Sequence, residues 1–249
     1  MYLLIRACIL LLTPGFVLGQ GTAIFAHNDY LKTEPLHAAY RLQVEFVEVD
    51  IFLVRDQLLV GHTQQELKPG RTLDSLYLIP LQLYVNQHHG YIYADTTQSL
   101  ALVIDLKTGG NTVTVLLETL HKFKDLVNAR NLRFILSGSV PDRSRWSTFP
   151  DYLHIDGRPG IPYTQEQLKR IALISCAFPI RWNGVQALEA AGRATLVKIQ
   201  DEVQGKGKPL RFWAAPDHEE AWTELIKLEI PVINTDDPAR LTSFLSRLH

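Results

Sequence analysis

Cysteine is almost absent from this chain of 249 residues, which contains only Cys8 and Cys176. We predict below that Cys8 is removed together with residues 1–19, so Cys176 would have no partner for an intramolecular disulfide. The fold must therefore be stabilised by a hydrophobic core. The cysteine content gives no indication of an oxidising compartment.

An excess of either charge is also lacking, since 25 Lys and Arg residues face 26 Asp and Glu residues. The longest basic cluster is the short Gly-Lys-Gly-Lys at 205–208, so the electrostatic footprint of a nucleic-acid-binding protein is missing. With 46% apolar and 20% charged residues, the composition is typical of a globular protein, and we assign residues 20–249 to one domain.

No apolar run is long enough for a membrane helix, which needs about 20 residues. The N-terminal apolar segment after Arg6, Ala7–Leu12, is interrupted by Thr13-Pro14-Gly15 and followed by a small-residue cleavage context, Val17-Leu18-Gly19. This pattern predicts a signal peptide over residues 1–19 and a mature chain that begins near Gln20. We therefore expect a secreted or periplasmic protein.

Short apolar runs rich in β-forming residues alternate with amphipathic segments along the rest of the chain. The clearest amphipathic segment is Thr112–Arg130, whose apolar residues recur at steps of three and four, as on one face of a helix. Continuous apolar strands that alternate with helices favour a parallel sheet covered by helices. The predicted strands are 22–26, 46–50, 101–105, 133–137, 152–155, 171–175, 210–213 and 231–234, and the other predicted helices are 35–43, 72–86, 165–172, 185–203, 217–228 and 238–248.

Eight such units in a chain of this length predict a single-domain α/β fold, the (β/α)8 TIM barrel. The alternative is an open doubly wound sheet, which should carry a glycine-rich phosphate loop after its first strand. Here Ala-His-Asn-Asp-Tyr, residues 26–30, follows that strand.

The predicted strands end in polar residues, where a barrel of this kind builds its active site. Glu48 and Asp50 are two residues apart on one strand and share a face, and Asp105 ends the next strand. Three convergent carboxylates predict a hard divalent cation, Mg²⁺ or Ca²⁺. The alternative is that they cap loops or pair with Lys107 and Arg158.

Two histidines are placed to accompany this cluster. His27 follows the first strand, and His62 follows Leu58–Val60, which we expect to return over the barrel mouth after a tight turn at Arg55-Asp56-Gln57. A pair of histidines beside a cation is suited to general acid–base catalysis near neutral pH. We expect Asp29 and Tyr30 only to shape the loop after the first strand.

In their order along the chain, these motifs resemble those of the glycerophosphodiester phosphodiesterase and phosphatidylinositol-specific phospholipase C-like superfamily. The motifs are His27, Glu48-Val49-Asp50, Val60-Gly61-His62, the third-strand segment 102–109 and the last-strand segment 234–238. The resemblance implies that His27 and His62 are catalytic, that Glu48, Asp50 and Asp105 hold the metal, and that Lys107 faces the phosphate.

The sequence departs from the glycerophosphodiesterase pattern at two points. Asn28 stands where an Arg usually follows the first His, and Asp105 stands where a Glu is common. The Asp-Leu-Lys-Thr-Gly segment and Trp213 resemble instead the sphingomyelinase-D-like branch, and His-Asn-Asp-Tyr resembles secreted bacterial members. These departures concern the substrate more than the reaction.

The sequence thus predicts a metal-dependent phosphodiesterase that acts on a small-molecule or lipid phosphodiester. We expect a monomer that makes transient contact with a membrane surface. The alternatives are a secreted TIM-barrel glycosidase, which could use two of the acids but leaves the histidines and Lys107 without a role, and a non-catalytic barrel that binds a phosphorylated ligand. The predicted substrate-binding residues are Asn28, Lys107, Arg158, Trp213 and Asp236.

Overall fold

The structure, a computed structural model, describes residues 21–248 and contains a closed barrel of eight parallel strands. The barrel closes because the first strand pairs with both the last strand and the second. The predicted TIM barrel is confirmed. Its strands are β1 (Ala23–Ala26), β2 (Phe46–Val54), β4 (Leu100–Leu106), β5 (Leu132–Gly138), β6 (Leu153–Gly157), β7 (Ile171–Ala177), β8 (Leu210–Trp213) and β9 (Val232–Thr235), while β3 (Gln57–Val60) pairs antiparallel with β2 outside the ring.

Helices connect most of the strands. They are α1 (His37–Arg41), α2 (Ile79–Gln87), α3 (Thr112–His121), α4 (Lys124–Val127), α5 (Gln165–Arg170), α6 (Ala190–Gln204), α7 (Glu219–Lys227) and α8 (Pro238–Ser246). Shorter 3-10 segments cover Asp29–Leu31, Gln64–Glu66 and Arg143–Thr148, and a π-helical turn, Asp74–Leu78, leads into α2.

The observed helices differ from the predicted ones in their bounds, and three of these differences have a local cause. The segment Thr112–Arg130 is two helices, because the backbone leaves helical geometry at Phe123, whose φ is −104° and ψ 63°. The helix predicted over 165–172 ends at Arg170, since Ile171 already belongs to β7. The helix predicted from residue 185 begins at Ala190, after a loop in which the Asn183 side chain accepts a hydrogen bond from the Val185 backbone N–H.

Side chains of the barrel strands alternate between two hydrophobic layers. In β4, Ala101 and Val103 belong to a cluster that fills the barrel interior, whereas Leu100, Leu102 and Ile104 pack into the larger layer beneath the helices. This alternation is a general property of barrel strands. Because Asp105 continues the interior series, its carboxylate is directed to the mouth of the barrel.

The hairpin β2–β3 has the tight turn that the sequence predicts. Arg55 and Asp56 both have positive φ angles, 48° and 62°, as in the two-residue turns that match the twist of antiparallel strands. The register pairs Ile51 with Val60, which returns the chain to the barrel mouth and places His62 beside Asp50.

In residues 21–248, the structure contains no helix whose length and apolar character would allow it to cross a membrane. The predicted signal peptide, residues 1–19, lies outside the described residues.

The left-handed turn predicts an ordering of stability among variants at Asp56. We expect Asp56→Gly to be more stable than Asp56→Ala by about 1 kcal/mol, because a Cβ in the left-handed region costs roughly that amount. Both variants lose the carboxylate, so the difference in their free energies of unfolding, measured with urea, isolates the backbone effect. Equal stabilities would contradict a positive φ at this residue.

Candidate active site

A cavity of about 300 Å³ opens at the carboxyl ends of the barrel strands. Every predicted site residue except Asp236 lines it, and Asp236 contacts the lining residue His27. The lining residues are His27, Asn28, Glu48, Asp50, His62, Asp105, Lys107, Ser137, Gly138, Asp156, Arg158, Arg211 and Trp213.

The predicted carboxylate cluster is present on one wall of this cavity. One oxygen atom of each of Glu48, Asp50 and Asp105 can be chosen so that all three lie within 4.8 Å of one another. Asp50 and Asp105 are register partners on adjacent strands, and Glu48 lies one interior position below Asp50. A donor set made only of carboxylate oxygens fits a hard cation.

Burial makes this cluster electrostatically costly. Glu48 is 6% exposed, and burial raises the pKa of its carboxyl group, an effect that the positive charges of Arg211 and His27 oppose. Neighbouring carboxylates raise the pKa of Glu48 further. A bound cation would favour the ionised form and offset this cost.

Lys107 neutralises part of the cluster in this structure. Its Nζ lies 2.8 Å from Asp50 Oδ2 and also contacts Asp105 Oδ2. Burial lowers the pKa of Lys107, but hydrogen bonds to the two carboxylates outweigh that effect and the net shift is upward. Lys107 therefore carries a positive charge at the point where the two aspartates meet.

His27 is held between two carboxylates. Its Nδ1 lies 2.8 Å from Asp236 Oδ1 and its Nε2 lies 3.4 Å from Glu48 Oε2. Asp236 in turn is fixed by its backbone N–H, which donates to Asp217 Oδ2 at 2.8 Å. Asp236, predicted to bind substrate, thus lies where it can orient the His27 ring.

His62 is also held by carboxylates. Its Nδ1 lies 3.0 Å from Asp50 Oδ2, and its backbone N–H donates to Glu66 Oε2 at 2.8 Å. Among residues 21–248, Nε2 of this ring makes no hydrogen bond, and the side chain is 56% exposed. An oriented imidazole with one open nitrogen is suited to proton transfer.

The other wall of the cavity carries Arg158 and Trp213. The Arg158 guanidinium pairs with Asp156 Oδ2 at 2.9 Å, and Asp156 Oδ2 also accepts a hydrogen bond from the Ser137 hydroxyl at 3.0 Å. Trp213 ends β8 and is 43% exposed. This wall offers a cation and an aromatic face to a ligand.

Arg211 is a charged residue of the site that the sequence analysis missed. It is 3% exposed, stacks on the Phe25 ring with its Cζ 3.4 Å from the ring centroid, and donates two hydrogen bonds to Asn234 Oδ1. Its NH2 lies 3.6 Å from Glu48 Oε1. The available signal was an arginine inside the short apolar strand Leu-Arg-Phe-Trp.

Tyr30 does more than shape the loop after β1, which is the only role that the sequence analysis predicts for it. Its Oη lies 2.8 Å from Asp50 Oδ2 and 3.3 Å from His62 Nδ1. Asp29, by contrast, has the predicted local role, because it accepts hydrogen bonds from the Leu36 backbone N–H and the Tyr77 hydroxyl.

Two family models match the chain. The AIM6-like phosphodiesterase domain matches residues 20–131, and the glycerophosphoryl diester phosphodiesterase family matches residues 209–239. The first span contains both site histidines and the three clustered carboxylates, and the second contains Arg211, Trp213 and Asp236. The resemblance to this phosphodiesterase superfamily is confirmed, and the matches support a phosphodiesterase.

Curated relatives are fungal proteins. An altered inheritance of mitochondria protein 6 homolog from Arthroderma benhamiae is 23% identical over 86% of this chain and 81% of its own length. Altered inheritance of mitochondria protein 6 from Lachancea thermotolerans is 25% identical over 88% of this chain, and the match spans 64% of that longer relative.

Solved structures share the fold at low identity. A glycerophosphodiester phosphodiesterase from Parabacteroides distasonis has a TM-score of 0.57 at 15% identity and covers 92% of this chain and 99% of its own. An Oleispira antarctica phosphodiesterase in complex with the product sn-glycerol-3-phosphate has a TM-score of 0.57 at 12% identity, with 90% and 96% coverage. A Ca²⁺-dependent phosphatidylinositol-specific phospholipase C from Streptomyces antibioticus has a TM-score of 0.51 at 11% identity, with 89% and 95% coverage.

The packing of Gly138 against Asp105 generates a prediction. A Cβ at residue 138 would lie 2.1 Å from Asp105 Oδ1 and 2.7 Å from the Leu106 carbonyl oxygen. We expect Gly138→Ala to displace the Asp105 carboxylate and weaken the binding of Mg²⁺ or Ca²⁺, measured by calorimetry. It should also lower the free energy of unfolding by more than the roughly 1 kcal/mol that a left-handed alanine costs.

Gly160→Ala is the matched control. Gly160 has almost the same φ angle, 73° against 71°, but no atom lies within 4 Å of the added Cβ. Gly160→Ala should therefore lower the free energy of unfolding only by the cost of a left-handed alanine, and its cation affinity should not change. Equal effects of the two variants on cation affinity would refute close packing at Asp105.

Proposed function

We propose that this protein is a secreted, divalent-metal-dependent phosphodiesterase that cleaves a glycerophosphodiester or a phospholipid-type phosphodiester. The observation that carries the proposal is the convergence of three carboxylates and two carboxylate-oriented histidines on one cavity at the barrel mouth. The product sn-glycerol-3-phosphate in a structural neighbour supports a substrate of this class. The secreted location rests on the sequence pattern of residues 1–19.

Glu48, Asp50 and Asp105 would hold the metal ion. The Ca²⁺ dependence of one structural neighbour supports a requirement for a divalent cation. When bound, such an ion supplies positive charge to a non-bridging phosphate oxygen and stabilises the charge that develops in the transition state. The positively charged side chains near the three carboxylates would then bind the other phosphate oxygens.

Lys107 and Arg158 are the cations of the cavity that solvent can reach, since their side chains are 23% and 43% exposed. Both can donate to phosphate oxygens, Lys107 as a point charge and Arg158 through its planar guanidinium. Asn28 can add a neutral donor, and Trp213 can pack against the organic part of the substrate.

His27 and His62 would transfer the protons. The attacking oxygen belongs either to water or to a neighbouring hydroxyl of the substrate, and one imidazole accepts its proton. The other imidazole donates a proton to the leaving oxygen. Asp236 and Asp50 each lie beside Nδ1 of one ring. We expect these carboxylates to favour the tautomer with the proton on Nδ1, which leaves Nε2 to exchange protons with the substrate.

A glycosidase and a non-catalytic phosphate-binding barrel are the alternatives. Neither gives a role to two histidines that are each oriented by a carboxylate. The monomeric state and the transient contact with a membrane surface stay predictions.

A panel of substrates with and without chelator tests the proposed reaction. We expect hydrolysis of a glycerophosphodiester or a lysophospholipid to be abolished by EDTA and restored by Mg²⁺ or Ca²⁺, because the carboxylates need a cation to bind a phosphate anion. Nitrophenyl glycosides serve as controls. Hydrolysis of a glycoside, or full diesterase activity in EDTA, would overturn the proposal.

Substitutions at His62 and Glu48 separate proton transfer from metal binding. His62→Ala should lower turnover by roughly 10²–10⁴-fold, the usual contribution of one general acid or base, with little change in metal affinity. Glu48→Gln should weaken metal binding first and recover part of its activity at high metal concentration.

Turnover, calorimetric metal affinity and melting temperature should be measured together for both variants. If both residues were only structural, each substitution would lower the melting temperature and leave turnover per folded molecule unchanged. A fully active His62→Ala would contradict the paired-histidine mechanism.

A further inference from the structure

Tyr30 lies beneath the cavity and does not line it. Its side chain is 1% exposed and belongs to the 3-10 turn Asp29–Leu31 that follows β1. A buried phenol needs a hydrogen-bond partner. Tyr30 finds that partner in the site itself.

Three site residues surround the Tyr30 hydroxyl. Its Oη lies 2.8 Å from Asp50 Oδ2, 2.8 Å from Asn28 Oδ1 and 3.3 Å from His62 Nδ1. A carboxylate oxygen only accepts hydrogen bonds, so the phenol is the donor of the Tyr30–Asp50 bond. The charged carboxylate is the stronger acceptor, and the Tyr30 proton is therefore assigned to Asp50.

The Tyr30 backbone is itself fixed in place. Its carbonyl oxygen accepts a hydrogen bond from Arg71 NH2 at 2.7 Å. The preceding residue, Asp29, is buried and bound by the Tyr77 hydroxyl at 2.8 Å and by the Leu36 backbone N–H. The hydroxyl is thus presented from a rigid support.

The two oxygens of Asp50 have different surroundings. Oδ2 receives the Tyr30 hydroxyl, Lys107 Nζ and His62 Nδ1. Within residues 21–248, Oδ1 makes no hydrogen bond, which leaves it available as a cation ligand. The Tyr30 bond helps to prevent rotation of the carboxylate, which would exchange these two oxygens.

We propose that Tyr30 is a positioning residue that fixes the Asp50 carboxylate and, through it, the His62 ring. Asp50 Oδ2 then accepts the Nδ1 proton of His62, and the Nε2 lone pair of His62 is directed to the substrate. This inference rests on the proposed function, in which His62 transfers a proton. Tyr30 itself touches no substrate and is not a catalytic residue.

The test compares Tyr30→Phe with Tyr93→Phe. Both tyrosines are buried and donate a hydrogen bond from the hydroxyl, but the Tyr93 hydroxyl donates to the Val44 carbonyl oxygen, and neither Tyr93 nor Val44 lines the cavity. Phenylalanine fills the volume of either ring, so neither variant should leave a void in the core. Only the Tyr30 variant should lose turnover.

We expect Tyr30→Phe to lower kcat by roughly 10- to 100-fold, the effect of one lost hydrogen bond to a charged group. KM for the diester that the wild-type protein hydrolyses fastest should change by less than about threefold, because Tyr30 makes no contact with the substrate. An equal fall in kcat for Tyr93→Phe would show a general structural effect and overturn the inference. An unchanged kcat in Tyr30→Phe would also overturn it.

A second measurement needs no substrate. Nitrogen-15 NMR of the histidine rings, at a pH where they are neutral, should show His62 with its proton on Nδ1 in the wild-type protein and a mixture of tautomers in Tyr30→Phe. If no diester is hydrolysed, the proposed function fails while this measurement still decides the role of Tyr30. The positioning role would be refuted if His62 of the wild-type protein carried its proton on Nε2, or if the two proteins gave identical spectra. The first of these outcomes needs only the wild-type protein, so it can be tested even if Tyr30→Phe does not fold.

Discussion

Mutual repulsion among the carboxylates at the barrel mouth is the constraint on which the rest of the site depends. Glu48, Asp50 and Asp105 approach within 4.8 Å of one another, and two of them are almost fully buried. Like charges at such separations are unfavourable in a medium of low dielectric constant. The surrounding residues can be understood as the means by which the fold keeps three negative charges together.

Arg211 has a central part in this compensation. It lies in the barrel interior against the Phe25 ring, with two hydrogen bonds to Asn234 and its guanidinium 3.6 Å from Glu48. Burial lowers the pKa of Arg211, and the Glu48 charge opposes this shift. Removal of one partner from such a buried pair typically costs about 3–5 kcal/mol, since the other charge is left uncompensated. Glu48 and Arg211 are therefore a single electrostatic unit that links β2 to β8.

Local sequence patterns were sufficient to predict the barrel and most of the residues that line the cavity at its mouth. The alternation of strands and helices predicted all eight barrel strands, and the two-residue spacing of Glu48 and Asp50 predicted their common face. The turn at Arg55 and Asp56 predicted the return of His62. Each of these features depends on residues close together in the chain.

The missed residues depend on contacts between distant parts of the chain. Arg211 meets Glu48 only because the barrel closes, and Tyr30 meets Asp50 only because β1 pairs with β2. Helix ends were also missed where tertiary packing decides them, as at Ile171, which joins β7. No local periodicity carries this information, since it arises from the register of the closed sheet.

The balance of charge around the cavity explains why a cation and a phosphodiester belong together in the proposed function. Four carboxylates line the cavity, namely Glu48, Asp50, Asp105 and Asp156, against three permanent cations, Lys107, Arg158 and Arg211. With two neutral histidines the lining carries one excess negative charge, and with one imidazolium, which the proposed proton donor requires, it carries none, so in neither state does its net charge attract a phosphate anion. A divalent cation would make the net charge of the lining positive in both states, opposite to the single negative charge of a phosphodiester. In the proposed function, binding of the anion would therefore depend on the metal.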